Sequence, residues 1–353
     1  MVGGHQRFSI GSRLVGRGCP CFVIAEAGVN HNGSLELALQ LIDVAAAGAA
    51  DAVKFQTFRA DQTVTPDAPK ARYQMSAIDD TESQMDMLRR LELDPAAYRT
   101  LARRCAERGL VFLSTPFDEE SADLLEDVGV PAFKVPSGEL TNLSFLRYLA
   151  RKKLPLIIST GMATLEDVRA AVDVVRSEGC NEFSLLHCVS NYPADPRDVN
   201  LRAMAAMSAA FDVPVGYSDH TLGSEVPLAA VALGACIIEK HVTLDRSLPG
   251  PDHQASADPR ELASLVAGIR TIEAALGDGD KRPAVSEDET AKVVRRSLVA
   301  ARVIPAGATL IADMVVSKRP GTGMASGRLG ELIGRRALDE IAAGTMLAPE
   351  MFD

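Results

Sequence analysis

Short apolar runs and amphipathic segments alternate eight times along the first 276 residues, and few folds accept that pattern. The runs are Phe22–Ala25, Ala52–Phe55, Leu110–Leu113, Ala132–Val135, Leu156–Ile158, Phe183–Leu186, Val213–Val215 and Cys236–Ile238. They are continuous rather than alternating, as expected of parallel strands covered on their outer face by helices. Between them lie helical patterns at Leu35–Ala47, Pro95–Glu107, Glu119–Asp127, Leu143–Lys152, Leu165–Ser177, Leu201–Ala210, Glu225–Leu233 and Pro259–Leu276. Asp94-Pro95 and the Thr164…Asp167 pair read as helix starts. Eight strand–helix units in about 250 residues predict a (β/α)8 TIM barrel. An open doubly wound sheet is the alternative, but no GxGxxG follows the first strand to mark a dinucleotide site.

The rest of the chain is organised around this barrel. Residues 57–93 make the second connection much longer than the others, which suggests a lid or substrate wall. A polar, Gly- and Pro-containing stretch begins at 277, so the expected division is a barrel at 1–276, a linker at 277–292 and a small domain at 293–353. The small domain holds a weak repeat: Ile304–Leu310 recurs as Ile341–Leu347, each followed four residues later by Met314 or Met351. Two copies suit a pseudo-symmetric unit of short strands and turns rather than a solenoid.

Charge and composition narrow the function. Lys+Arg is 37 and Asp+Glu is 47, a net charge of −10, which argues against a nucleic-acid or anionic-membrane partner. No 18-residue apolar run exists, and residues 1–17 have no signal-like apolar stretch, so the expected location is cytoplasmic. The six cysteines form no CxxC and read as free thiols.

A barrel places its chemistry at the C-terminal ends of its strands. Each run here ends in polar residues: Glu26; Lys54 and Gln56; Ser114 and Thr115; Lys134, Ser137 and Glu139; Ser159 and Thr160; His187; Ser218, Asp219 and His220; Glu239, Lys240 and His241. Packing alone does not call for this pattern, and one converging site explains it. His220 and His241 follow adjacent strands about 4.8 Å apart, so both imidazoles could reach one cation. Two nitrogen ligands with open positions suit an exchangeable Mn²⁺, Co²⁺ or Zn²⁺; a hydrogen-bonded core pair is the plainer reading. Lys54 and Lys134 could clamp an anion or form a Schiff base. Otherwise they are inward ion pairs with Glu26 or Glu139. The serines and nearby glycines supply hydroxyls and N–H groups that favour a phosphate.

These residues sit in motifs: VIAEAGVNHNG (23–33), AVKFQTF (52–58), LSTPFD (113–118), FKVPSGE (133–139), ISTGMA (158–163), GYSDHTLG (216–223), IEKHVTLD (238–245) and PGPDHQAS (249–256). In that order they resemble the sialic acid (nonulosonate) synthases, and KRPGTG (318–323) resembles that family's C-terminal antifreeze-like domain, of β-clip type. The resemblance implies condensation of phosphoenolpyruvate with an N-acylated mannosamine to a nine-carbon 2-keto acid and phosphate. It implies Mn²⁺ on His220 and His241. It puts Lys54, Thr115, Lys134, Ser137, Ser159 and Ser218 around phosphoenolpyruvate, and Gln56, Glu139, Tyr192 and Asp252 near the sugar. Glu26 falls beside the metal and the reacting carbons. It also implies a homodimer in which each small domain is swapped over the partner's barrel, with Arg319 reaching the partner's sugar site. One departure is the Cys-Val-Ser-Asn (188–191) before Tyr192, where the family commonly carries an asparagine or threonine–glutamate; the phosphate contact of this loop is therefore left unassigned. The acceptor is expected to be N-acetylmannosamine, giving N-acetylneuraminate. The alternatives are a legionaminate synthase acting on 2,4-diacetamido-2,4,6-trideoxymannose and, from another class, a Schiff-base lysine aldolase.

Overall fold

A computed structural model describes residues 7–70 and 82–353. A two-stranded antiparallel hairpin, β1 (Phe8–Ile10) and β2 (Arg13–Val15), precedes the main sheet. The eight parallel strands are β3 (Phe22–Gly28), β4 (Ala52–Thr57), β5 (Val111–Pro116), β6 (Phe133–Val135), β7 (Leu156–Ser159), β8 (Phe183–Cys188), β9 (Val215–Asp219) and β10 (Ile237–His241). Their order is β5-β4-β3-β10-β9-β8-β7-β6. β10, last in sequence, pairs with β3, the first, and β5 lies next to β6 at the seam, so the sheet closes into a TIM-type barrel. The eighth run continues to His241, and the seventh is displaced, Val215–Asp219 rather than Val213–Val215. The displacement arises because three of the five residues of β9 are Tyr-Ser-Asp, which apolar runs do not mark.

Helix starts follow local chemistry. Ser34 Oγ accepts from Leu37 N–H at the head of Leu35–Ala47, and Asp94 caps Pro95–Arg108. Thr164/Asp167 and Asp258/Glu261 form reciprocal capping boxes on Leu165–Ser177 and Pro259–Leu276. Outward strand residues such as Val23, Val53, Phe133 and Leu185 pack against these helices.

Inside the barrel the lower half is apolar. Ile24, Ala52, Leu113, Ile157, Leu186 and Ile237 form one buried cluster. The same cluster includes Phe8, Ile10 and Val15, so the N-terminal hairpin, which sequence periodicity did not reveal, seals this end of the barrel. Gly216 stands at this level on β9. A Cβ there would lie 2.5 Å from the Ile237 carbonyl and 2.6 Å from Leu186 Cδ2. Gly216→Ala is therefore expected to cost about 1–3 kcal/mol or more by overpacking. A urea unfolding midpoint equal to that of the parent would contradict this packing.

The chain divides into two compact units, Met1–Gly277 and Asp278–Asp353. The stretch that composition marks as a linker carries a short helix at Asp288–Val294. In the second unit β11 (Ser297–Ala300) pairs antiparallel with β12 (Val315–Lys318). The two repeat copies pair with each other: Ile304 and Ile341 exchange both backbone hydrogen bonds, at 2.8 and 2.9 Å. Gly307 and Gly344 occupy equivalent left-handed positions, φ +74° and +85°. Ile304, Leu310, Ile341 and Leu347 share one small core.

Of the long second connection, residues 71–81 lie outside the described residues. Its described part contains a helical turn at Ala60–Thr63 and the helix Gln84–Leu91.

Candidate active site

Above the apolar layer, the next inward residue of each strand is polar. Ile24 is followed inward by Glu26, Ala52 by Lys54 and Gln56, and Leu113 by Thr115. The same spacing of two brings in Lys134, Ser159, Cys188, Ser218, Glu239 and His241. They line a cavity of about 420 Å³ at the C-terminal end of the barrel. Ser137, Tyr192, His220 and Asp252 reach it from the loops after β6, β8, β9 and β10.

Two lysines and two glutamates make the electrostatic centre. Lys54 Nζ is 2.7 Å from Glu26 Oε2 and donates to Thr115 Oγ1 at 2.8 Å. Lys134 Nζ donates to Ser159 Oγ at 2.6 Å and lies 3.6 Å from Glu239 Oε1. The carboxylate beside Lys134 is thus Glu239, not Glu139. Burial raises the pKa of Glu26 to about 7, with Lys54 opposing the shift and Glu239 adding to it. For Glu239 burial also acts upward, but Lys134 and Lys54 outweigh it and hold the carboxyl below its ordinary value. Two carboxylates side by side are thus driven apart: one is poised to exchange a proton near neutrality, the other stays charged.

A second cluster is made of hydroxyl and thiol groups. Ser137 Oγ accepts from the Gly161 N–H at 3.0 Å and lies 3.3 Å from Cys188 Sγ. Cys188 Sγ is in turn 3.8 Å from Ser190 Oγ. A Cβ on Gly161 would meet all three, at 2.3 Å from Ser190 Oγ, 2.8 Å from Ser137 Oγ and 2.9 Å from Cys188 Sγ. Only glycine lets them converge.

The two histidines stand together, ring centroids 5.4 Å apart. Tyr192 stacks on His220 at 4.1 Å and meets His241 edge-on at 5.5 Å. The Val189 carbonyl lies 2.6 Å from His220 Nδ1, so this nitrogen carries the proton and Nε2 keeps its lone pair. His241 Nδ1 is buried and has no hydrogen-bond partner among the described residues; Asp252 Oδ2 is 3.7 Å away. Burial first, with the electrostatic influence of His220, Lys54, Lys240 and Lys134 adding to it, lowers the His241 pKa well below the ordinary imidazole value. Among the described residues no group of three His, Cys, Asp or Glu side chains forms a ready-made cage. Two adjacent imidazoles, one with an unsatisfied nitrogen, fit a divalent cation with open positions better than a structural site.

Other polar strand-end residues do not enter the cavity. His187, Ser114, Asp219 and Lys240 have the opposite strand parity. His187 Nε2 lies 2.5 Å from the Val199 carbonyl, and Ser114 bonds Thr57 at 2.7 Å. Lys240 pairs with Asp219 at 2.6 Å. Thr160 donates to the Leu186 carbonyl. Glu139, expected near the sugar, accepts from Asn142 Nδ2 at 2.8 Å and does not line the cavity. Arg319 is exposed directly after β12 in the C-terminal unit. Cys188, Ser190 and Gln84, none of them singled out as site residues from sequence, do line the cavity. For Cys188 the signal was present: it lies two residues beyond Leu186, on the inward parity.

Comparison with known proteins now decides the family. The NeuB family profile matches residues 41–281, and an SAF domain profile matches residues 295–353. The chain belongs to the NeuB family. It is an enzyme of the nonulosonate synthase class, with a C-terminal antifreeze-like (SAF) domain. Among its relatives, the N,N'-diacetyllegionaminic acid synthase of Legionella pneumophila is 47% identical over 98% of both chains. The human N-acetylneuraminate-9-phosphate synthase is 36% identical, covering 97% of this chain and 95% of its own. The crystal structure of an N-acetylneuraminic acid synthetase from Leptospira borgpetersenii is similar with a TM-score of 0.72 at 36% identity, over 81% of this chain and 95% of that one.

Proposed function

We propose that this NeuB-family enzyme joins carbon 3 of phosphoenolpyruvate to the aldehyde carbon of an open-chain N-acylated mannosamine, releasing inorganic phosphate. The observation that carries this is the pair of buried cations, Lys54 and Lys134, set among the hydroxyls of Thr115, Ser159 and Ser218. In a protein of net charge −10, a substrate with both a carboxylate and a phosphate needs such local cations. Each lysine also lies within 4 Å of a carboxylate, an ion-pair setting that favours an anion clamp over a Schiff-base nucleophile.

The residues divide the work. Lys54 and Lys134 hold the two anionic groups, and the Ser137–Gly161–Ser190 cluster offers further hydroxyls to phosphate oxygens. Carbon 3 attacks the aldehyde, and the resulting cationic carbon 2 takes up water. Glu26, with its pKa near 7, accepts that water's proton. The bond from carbon 2 to the phosphate oxygen then breaks and phosphate leaves. A divalent cation such as Mn²⁺, held by His220 and His241, would polarise the acceptor aldehyde. Tyr192 and Asp252, against the histidines, orient the sugar. The reading includes the homodimer with swapped C-terminal domains, Arg319 serving the partner's site.

For the acceptor we favour 2,4-diacetamido-2,4,6-trideoxymannose, giving N,N'-diacetyllegionaminate, over the N-acetylmannosamine expected from the motifs alone. The 47% identity to the Legionella enzyme over nearly the full chain supports this choice. The test is phosphate release from phosphoenolpyruvate with each sugar, using substrate labelled with ¹⁸O at the bridging position. The label is expected in phosphate, with faster release for the diacetamido sugar. Label in the keto acid would refute carbon–oxygen cleavage, and preference for N-acetylmannosamine would refute the acceptor choice.

A further inference from the structure

The cavity has two unlike halves. The lysines, glutamates and histidines occupy the barrel top. Beyond the polar ends of β3, β4 and β5 the lining becomes apolar: Val29, Phe58 and Phe117 each follow their strand by one residue. Phe58 and Phe117 lie two residues past Gln56 and Thr115, about 7 Å further along an extended chain. Phe58 packs edge-on against Phe117 at 6.1 Å, and Val29, Phe58, Met87 and Leu91 form one buried cluster. Met87 and Leu91 come from the helix Gln84–Leu91, so the long second connection builds this wall.

Two polar side chains interrupt it: Thr63, whose hydroxyl donates to the Arg59 carbonyl, and Gln84. Gln84 lines the cavity from the first turn of the helix, and its Oε1 is buried with no hydrogen-bond partner among the described residues. A buried amide oxygen left bare costs free energy, and turning the side chain so that the oxygen meets a ligand donor in the cavity recovers it. The strand that carries Gln56 leads from the charged floor to this wall, so a sugar whose aldehyde lies beside the histidines, facing carbon 3 of phosphoenolpyruvate, points its far carbons here. The donor that meets Gln84 is therefore on the distal part of the acceptor, and its surroundings are apolar.

We infer that Gln84 is a specificity-determining residue that accepts a hydrogen bond from the N–H of the acylamino group on carbon 4 of the acceptor, whose acyl methyl packs on Phe58, Met87 and Leu91. This inference rests on the acceptor proposed above. An acylamino group presents one donor and an apolar cap, the combination this wall complements. A hydroxyl at the same carbon can also donate, but it has no apolar cap and leaves room for water, so its loss of Gln84 is less costly.

The test uses full-length Gln84→Met and Gln84→Ala with two acceptors: 2,4-diacetamido-2,4,6-trideoxymannose and 2-acetamido-2,6-dideoxymannose, which differ only at carbon 4. Activity is read as kcat/KM, or as an inhibition constant where an acceptor is not turned over. Both variants are expected to lose about tenfold toward the diacetamido sugar and about two- to threefold toward the hydroxyl analogue. KM for phosphoenolpyruvate serves as the control on the barrel floor. Equal losses toward both sugars, or no loss toward either, would overturn the assignment to Gln84 while leaving the acceptor proposal intact. Failure of the parent enzyme to use the diacetamido sugar would instead refute the acceptor proposal itself.

Discussion

Lys134→Met is expected to lower kcat/KM for phosphoenolpyruvate by on the order of 10²–10³-fold while the barrel still folds. Methionine keeps most of the volume and removes the charge, so the loss is electrostatic rather than a cavity. Lys134 is buried, donates to Ser159 Oγ at 2.6 Å and lies 3.6 Å from Glu239. Without it, one of the two anionic groups of phosphoenolpyruvate must enter a dry site beside Glu239 with no cation of its own. Steady-state kinetics at saturating acceptor, with circular dichroism to verify the fold, measures the effect. A fall of less than tenfold would remove Lys134 from the anion clamp. Borohydride treatment with a keto acid present separates the other role open to a lysine: the parent is expected to form no stable adduct.

His241→Ala is expected to abolish both stoichiometric metal binding and turnover. So is exhaustive chelation of the parent protein, where added Mn²⁺ should restore activity. Several kcal/mol of aldehyde activation are at stake, on the order of 10³-fold or more. The neutral ring of His241, its unsatisfied buried Nδ1 and the proximity of His220 at 5.4 Å all point to shared ligation. Metal content measured by mass spectrometry gives a readout that does not depend on catalysis. Full turnover by protein shown to hold no metal would end the ligand assignment.

Much of the geometry of this cavity was legible in the sequence, and what was not has separate physical origins. Apolar runs located all eight barrel strands because parallel strands covered by helices are apolar on both faces low in the barrel. Polar residues at the run ends then marked the catalytic rim. Run ends carry no direction, however, whereas strand residues alternate in and out. His187 and Lys240 therefore looked like candidates although their neighbours Cys188, Glu239 and His241 are the ones facing inward. Counting in twos from the apolar floor would have excluded the first pair and found Cys188. Glu139 was lost for another reason: it lies in the 3-10 turn Ser137–Glu139, where side chains do not alternate. Gln84 was illegible because its helix meets the cavity only through tertiary packing of a long connection. The hairpin Phe8–Val15 escaped because strands of three residues leave no period to detect.

That hairpin has a consequence for how the enzyme meets its substrates. With Phe8, Ile10 and Val15 packed beneath Ile24, Leu113 and Ile237, the barrel is a vessel with a single mouth. Among the described residues the apolar packing closes this end, so water and counter-ions reach Lys54 and Lys134 from the side by which reactants enter. Each reactant that settles in therefore also acts as the stopper, and filling the vessel and drying it become one event. The charges on the floor gain strength at the moment there is something for them to act on.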